Sequence, residues 1–456
     1  MTTRASSNSA APAFRRVLSR WDLILYGLVF LSPTAPYPVY GLIQKASHGH
    51  ATLAYLVAMV AMLFTAASYG KMAGAYPSAG STYTYACKSL NEYVGFLAGW
   101  AMILDYCLVP LLSIIYSALT AARLVPGVPY WVWAVLFTVG ITAVNLRGIR
   151  VTARASEFLM FVMSVCAALF VVAAARWVIL HHGAGGLFSA EALFRPESFG
   201  RGPLMLGAGI AALSYLGFDA ISTLAEDTVK PERDIAVATV AACVLQTVFC
   251  VATVYLATLV WPDYRSFPDA ETAILDVGRR AGGEWLLGSV SFVLLVAGLA
   301  SAITGQAGAS RLLFGMGRDG VISSRIFAHL DRRYSTPSRS IYLMGAVSLV
   351  CSLAMQFQTA VEIVNFGAFV GFILVNLSVI RTFYLQRRER TGWGLVSNLI
   401  FPAIGAAVAG YVWMSLSVKA TLAGFIWLGI GTVYLALLTR GFRRAPKPIE
   451  FVQENS

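Results

Sequence analysis

Leu31-Ser32-Pro33-Thr34-Ala35-Pro36-Tyr37-Pro38 places three prolines within six residues, inside a stretch, 22–44, that is otherwise apolar. Proline has no amide proton and its ring clashes with the preceding turn, so a regular helix cannot run through this segment. The flanking residues are those of a membrane span, which needs about 20 apolar residues to cross the hydrocarbon layer. Unpaired backbone is too costly to leave in lipid, so a break at this depth is buried in protein or faces a wet cavity. A second apolar stretch, 203–229, is interrupted in the same manner by Tyr215-Leu216-Gly217-Phe218-Asp219. Here a glycine and a carboxylate sit deep in a hydrophobic run.

The chain around these breaks is membrane-like throughout. Of its 456 residues 58% are hydrophobic and only 12% charged, against about 25% charged in soluble domains. Twelve spans are read at 22–44, 51–73, 94–122, 129–146, 153–180, 203–229, 236–261, 285–314, 340–357, 360–384, 396–416 and 421–440. They form one membrane domain over 21–440, with polar tails at 1–20 and 441–456. The first tail lacks the shape of a cleavable signal. Between spans, 269–281 reads as a short surface helix. The two breaks lie five spans apart, which is the spacing of a 5+5 inverted repeat with discontinuous helices 1 and 6. Helices 11 and 12 are additional.

The net charge of +12 is topological. With the N-terminus inside, 25 of the 34 Lys and Arg residues fall on the cytoplasmic side, as the positive-inside rule requires of twelve spans with both termini cytoplasmic. Scattered over short loops, they form no nucleic-acid surface. The six cysteines make no CxxC pair and no Cys/His metal spacing, so neither a zinc site nor a disulfide framework is indicated, and no metal or cofactor is expected. No nucleophile–base pair suggests an enzyme.

Three motifs carry a resemblance. Tyr76-Pro77-Ser78-Ala79-Gly80-Ser81-Thr82-Tyr83-Thr84-Tyr85 is similar to the loop after the second helix of amino acid–polyamine–organocation permeases. Leu216-Gly217-Phe218-Asp219-Ala220-Ile221, followed by Glu226-Asp227 and Lys230-Pro231-Glu232-Arg233, resembles their sixth helix and its exit. Ser310-Arg311-Leu312-Leu313-Phe314 with Gly317-Arg318-Asp319-Gly320 resembles the end of their eighth. Within that superfamily, Ser68-Tyr69-Gly70-Lys71, Leu104-Asp105-Tyr106, Val364-Asn365-Phe366-Gly367-Ala368 and Val375-Asn376-Leu377-Ser378 look most like bacterial putrescine importers. The resemblance implies a leucine-transporter-like fold, alternating access, and proton-driven import across a bacterial inner membrane.

In relatives that carry α-amino acids, a glycine-rich break in helix 1 offers free amides to the substrate carboxylate. Here Ser32-Pro33-Thr34-Ala35-Pro36 has no glycine and lacks two amides, so that cradle is degraded. A primary ammonium would instead meet the carbonyl ends of the half-helices near Leu31 and Tyr215, together with Asp219. Tyr37, Tyr215 and Phe218 are candidate cation–π faces. The expected substrate-binding set is Ser32, Thr34, Ala35, Tyr37, Asp105, Tyr106, Tyr215, Gly217, Phe218 and Asp219. Asp105 has three competing roles: binding a second amine, carrying the coupling proton, or accepting a structural hydrogen bond. Intramembrane carboxylates cost about 2.5–3.5 kcal/mol on insertion scales, so function is the default reading for such a group. Asp105 and Asp219 are the proton-coupling candidates.

Glu157, Glu226, Asp227 and Arg311 are read as gate residues, and Glu362 as a helix N-terminal charge. Met163 stands where some proton-coupled relatives carry a lysine, and Ser301 and Thr304 are hydroxyls within reach of a sodium role, so proton and sodium both remain as coupling ions. The expected function is import of small organic amines, putrescine first. The alternatives are an amino-acid permease, working as symporter or exchanger, and a membrane sensor that binds without transporting.

Overall fold

The computed structural model describes residues 18–77, 81–147, 153–224, 228–318, 323–331, 334 and 336–443. Glu226 and Asp227, and the side chains of Tyr106, Glu157 and Arg311, lie outside the described residues, as do most of the two tails. Among the described residues the chain is helical, with one isolated backbone bridge between Leu18 and Thr228.

The helices are α1 (Arg20–Leu31), α2 (Tyr40–Ala46), α3 (Ala51–Ala75), α4 (Ser81–Ser89), α5 (Glu92–Leu124), α6 (Tyr130–Leu146), α7 (Ala153–His182), α8 (Arg201–Ala211) and α9 (Ala220–Thr223). There follow α10 (Pro231–Val260), α11 (Ala273–Arg318), α12 (Ser324–Phe327), α13 (Ser338–Ala354), α14 (Phe357–Val379), α15 (Trp393–Leu395), α16 (Phe401–Met414) and α17 (Val418–Leu438). Nine helices among the described residues are long and apolar enough to cross a membrane. Two more, α6 and α13, are apolar but have 17 residues each, about 26 Å at 1.5 Å per residue.

The outer surface explains the composition. Along α17, Val418, Leu422, Phe425, Ile426, Ile430, Val433 and Leu437 are all exposed, a helical stripe with no protein neighbour to cover it. A water-soluble monomer rarely leaves so much contiguous apolar surface open, whereas lipid tails cover it without cost.

Both proline and glycine breaks are present. α1 stops at Leu31, and residues 32–39 run as successive turns before α2 begins. Ser32 itself sits at φ 59°. The second discontinuity follows α8, which tightens into a 3₁₀ turn over Ala212–Tyr215. It then opens at Leu216–Asp219 before α9. Gly217 has φ 115° there, a conformation L-residues rarely adopt, so glycine is required.

Two readings of the sequence change. In the segment 269–281, expected as a surface helix, residues 269–272 are non-helical and α11 begins at Ala273, where Ala273, Ile274, Leu275 and Val277 are buried. This first part is separated from the long span by Gly283 at φ 69° and ψ −164°. Its apolar side chains Ala273, Ile274, Leu275 and Val277 join the main hydrophobic core, and Asp276 bonds Arg123 at the end of α5. The stretch read as a loop after the second span contains α4, whose Thr82 shares a 2.5 Å hydrogen bond with Tyr69.

The broken first segment lies alongside the continuous α10. Arg20 bonds Asp234, the Ser32 carbonyl accepts from Gln246, and Gln44 donates to Thr258. Each pair is 214 residues apart in sequence. The two segments therefore run parallel and in constant register. The turns at 32–39 must advance the chain about as far per residue as a helix would.

Candidate functional site

A small cavity of about 10 Å³ lies where α3, α5, the second break and α14 meet, space for about one water molecule. Tyr69, Met102, Asp105, Leu216, Asp219, Ala368, Gly371 and Phe372 line it. Each element supplies its residues for a local reason. α5 brings Met102 and Asp105, three apart and thus on one face. α14 brings Ala368, Gly371 and Phe372 at the same kind of spacing. The break brings Leu216 and Asp219 because Gly217 turns the backbone between them.

The two carboxylates are in different situations. Asp219 lies beside backbone amides of the break, its own and those of Gly217 and Ala220. Asp105 is held within a continuous helix, and its Oδ1 is buried with no hydrogen-bond partner among the described residues. The described lining includes no basic side chain to offset either charge. An unpaired buried acceptor costs about 1–3 kcal/mol. Such a group is kept when something else supplies the donor.

Aromatic rings back the cavity. Tyr69 and Phe372 form part of its wall, with ring centroids 6.2 Å apart in an edge arrangement. Phe218 stands behind both, 5.5 Å from Tyr69 at 89° and 5.2 Å from Phe372 at 30°. Phe218 is fully buried and is not part of the cavity lining, so it supports the wall from behind.

The remaining candidates are placed elsewhere. Tyr37 is buried against Phe170 of α7, ring centroids 5.2 Å apart. Tyr215 is buried against α3 and α10, its hydroxyl 2.9 Å from Thr247 Oγ1 and 3.4 Å from the Tyr55 carbonyl. Ser32, Thr34 and Ala35 do not line the cavity. The amides of this stretch are used locally: Ser32 N donates to the Leu28 carbonyl at 3.1 Å, Thr34 N to Ser32 Oγ at 3.3 Å, Ala35 N to the Ser32 carbonyl at 3.1 Å, and Tyr37 N to the Thr34 carbonyl at 3.0 Å. The prolines have no amide to offer. Carbonyls of the half-helix ends are partly occupied too, because the Gln246 side-chain amide donates to Leu31, Ser32 and Ser214.

Thr304 Oγ1 donates to its own helix at the Ala300 carbonyl, 2.9 Å, and Ser301 pairs with Ser113 at 3.2 Å. Glu362 is fully buried on α14. It accepts from Gln358 at 2.8 Å and from the Ser417 amide at 2.9 Å. The helix N-terminus it serves is that of α17, since Ser417 is the N-cap, and not that of its own helix.

Tyr69, Met102, Leu216, Ala368, Gly371 and Phe372 were not among the residues picked from sequence. Tyr69 and Ala368 do fall inside the quoted motifs Ser68–Lys71 and Val364–Ala368. The signal was there, but without a helix rotation nothing pointed those side chains to one place.

The chain is similar to known membrane transporters along most of its length. A family model described as amino acid permease matches residues 39–439. The chain is 33% identical over 447 residues, 97% of its own length and 98% of the relative's, to the low-affinity putrescine importer PlaP of Escherichia coli. It is 25% identical to the branched-chain amino acid permease BcaP of Bacillus subtilis, over 82% of each chain. It is also 25% identical to a methylthioribose transporter of the same organism, over 95% of this chain and 96% of that one. Two discontinuous helices at the expected places and a match across most of the chain lead to one conclusion: this protein belongs to the amino acid permease family, and it is an integral membrane transporter.

Proposed function

We propose that the chain is a secondary active importer of small organic amines, with putrescine the first candidate, working by alternating access and coupled to protons. The observation that carries this reading is the pair Asp105 and Asp219 on one small cavity whose described lining has no basic side chain. A cation is attracted by two carboxylates, whereas a substrate carboxylate would meet two like charges. The use of the break's amides inside the break supports the same reading, because it leaves a carboxylate without its usual donors. The likeness to a putrescine importer over nearly the whole chain also supports it. A one-water cavity does not hold a four-carbon diamine, so this conformation is the closed one, and substrate enters when the helices part.

The proposal includes an architecture. The nine long helices, α6, α13 and the broken α1–α2 segment together make twelve spans within one membrane domain over 21–440. The first ten form the 5+5 inverted repeat and both termini face the cytoplasm of a bacterium. Asp105 is the residue for the second amine or the proton, Asp219 for the first amine, with Leu216, Tyr69 and Phe372 against the methylene chain.

The test is uptake of labelled putrescine into proteoliposomes with and without an inward proton gradient. Gradient-stimulated uptake is expected, with leucine a poor competitor. A second reading, amino-acid transport, is favoured by the likeness to BcaP. Leucine uptake without putrescine uptake would decide for it.

A further inference from the structure

Gln246, midway along α10 and fully buried, is a polar side chain that meets both discontinuities. Its Nε2 donates to the Leu31 carbonyl at 3.2 Å and to the Ser32 carbonyl at 3.0 Å, where α1 ends. The same nitrogen lies 3.1 Å from the Ser214 carbonyl, in the turn that ends the first half of the sixth segment. The last carbonyls of a helix have no donor within that helix. Three oxygens around one nitrogen also fix the amide's orientation, because the flipped amide would set Oε1 against three acceptors.

Two further ties bracket this one along α10. Arg20 with Asp234 lies toward the start of α1, and Gln44 with Thr258 lies in α2. Both of those hold only the first segment. Gln246 alone among the three also reaches the sixth. It does not line the cavity between the carboxylates, so it is not placed to bind what the cavity holds.

We infer that Gln246 is a positioning residue that couples the two broken helices, so that the end of α1 and the end of the α8 segment keep their spacing while the rest of each helix tilts during transport. The inference rests on the chain being a carrier and does not require that its substrate be an amine. Losing the amide frees both ends at once, and two half-helices that move separately present Asp219 and the break at α1 in uncorrelated positions.

The test uses the full-length protein in nanodiscs and in proteoliposomes. Gln246→Met keeps the volume and removes both N–H donors. Hydrogen exchange is expected to rise about tenfold in peptides covering 28–37 and 210–220 together, with α5 and α14 unchanged. Putrescine uptake is expected to lose about tenfold in Vmax while KM stays within about threefold. Faster exchange in only one of the two segments, or in neither, overturns the inference. So does wild-type Vmax, and so does a raised KM at unchanged Vmax, which would make Gln246 a substrate ligand.

Gln246→Asn is the second variant, polar and one methylene too short to bridge both ends. Wild-type exchange in both segments and wild-type turnover in that variant overturn the inference even if the Met variant does not fold. If the wild-type protein takes up no putrescine, the amine reading falls, and the exchange measurement still decides the role of Gln246.

Discussion

Arg20 places Nη2 2.9 Å and Nε 3.1 Å from the same carboxylate oxygen of Asp234, joining the first turn of α1 to the first turn of α10. The Val229 amide donates to the Leu18 carbonyl at 3.2 Å just beside it. Asp234 is also suited to its position electrostatically, since an acid in the first turn of a helix meets the positive end of its dipole. Arg20 remains about a third exposed, at 37%, while the Asp234 side chain is 11% exposed. The pair is thus a partly solvated latch at one end of the bundle.

Arg20→Ala and Asp234→Asn are each expected to cost about 1 kcal/mol, the scale of a partly exposed pair. The charge-swapped double variant, Arg20→Asp with Asp234→Arg, should recover part of that loss. A double-mutant cycle on thermal-inactivation midpoints measures the coupling. Strictly additive losses would show that the contact contributes nothing.

Asp105 is predicted to trade stability for function. Its unpaired Oδ1 and the neighbouring carboxylate both burden the substrate-free protein. Asp105→Asn removes the charge, so the variant should resist heat better than wild type in the absence of substrate. Removing one member of a buried charge contact costs about 2 kcal/mol or more, roughly 30-fold in KM for a diamine. Uptake assays with putrescine and with a monoamine separate the roles. A loss confined to the diamine marks a second-amine contact, an equal loss marks the proton, and unchanged uptake of both excludes Asp105 from the site.

Gly217 is predicted to tolerate no side chain. At φ 115° an alanine is strained by about 1–3 kcal/mol, and relief of that strain would rotate Asp219 away from the cavity. Gly217→Ala should therefore lose uptake by tenfold or more while still reaching the membrane, as read by surface labelling. Normal uptake would mean that the break relaxes without moving the carboxylate.

Much of this was legible beforehand, and the limits have physical causes. A single proline can be carried within a membrane helix, as Pro110 is in α5, but three within six residues cannot, so the first break could be read from Pro33, Pro36 and Pro38 together. Asp105 and Asp219 stood out because charge inside an apolar run is costly. Tyr69, Met102 and Phe372 did not, because apolar and aromatic residues fill every span. Which of them face a cavity depends on helix rotation, set by packing many residues away. The same ambiguity hid the placement of Tyr37 and Tyr215 among neighbouring helices. Gln246 carried a usable signal that went unread: a primary amide in the middle of the span at 236–261 needs partners as much as a carboxylate does.

Glu362 offers a test of structural against ligand roles. Its carboxylate joins Gln358 to the Ser417 amide at the start of α17, away from the cavity. Glu362→Leu leaves that amide unpaired in a buried setting, at a cost of about 1–3 kcal/mol. The expected variant is less heat-stable than wild type but has an unchanged KM for putrescine. A KM shift without a stability change would move Glu362 into the transport pathway.

Glu271 lies in the segment before α11, outside the spans, and its carboxyl is held above the usual range. Burial is the main cause, and the charge of Asp269 adds to it. In the folded protein the neutral acid is favoured, so folding takes up protons in the window between the ordinary and the raised values. The resulting contribution to stability is complete below the ordinary carboxylate range and is lost as pH rises through the raised value. Glu271→Gln cannot ionise and should escape that loss. Thermal-inactivation midpoints of the two proteins between about pH 4 and 7 are expected to diverge with rising pH, the variant becoming relatively more stable. Parallel curves would mean that Glu271 ionises in the folded protein as readily as in the unfolded chain.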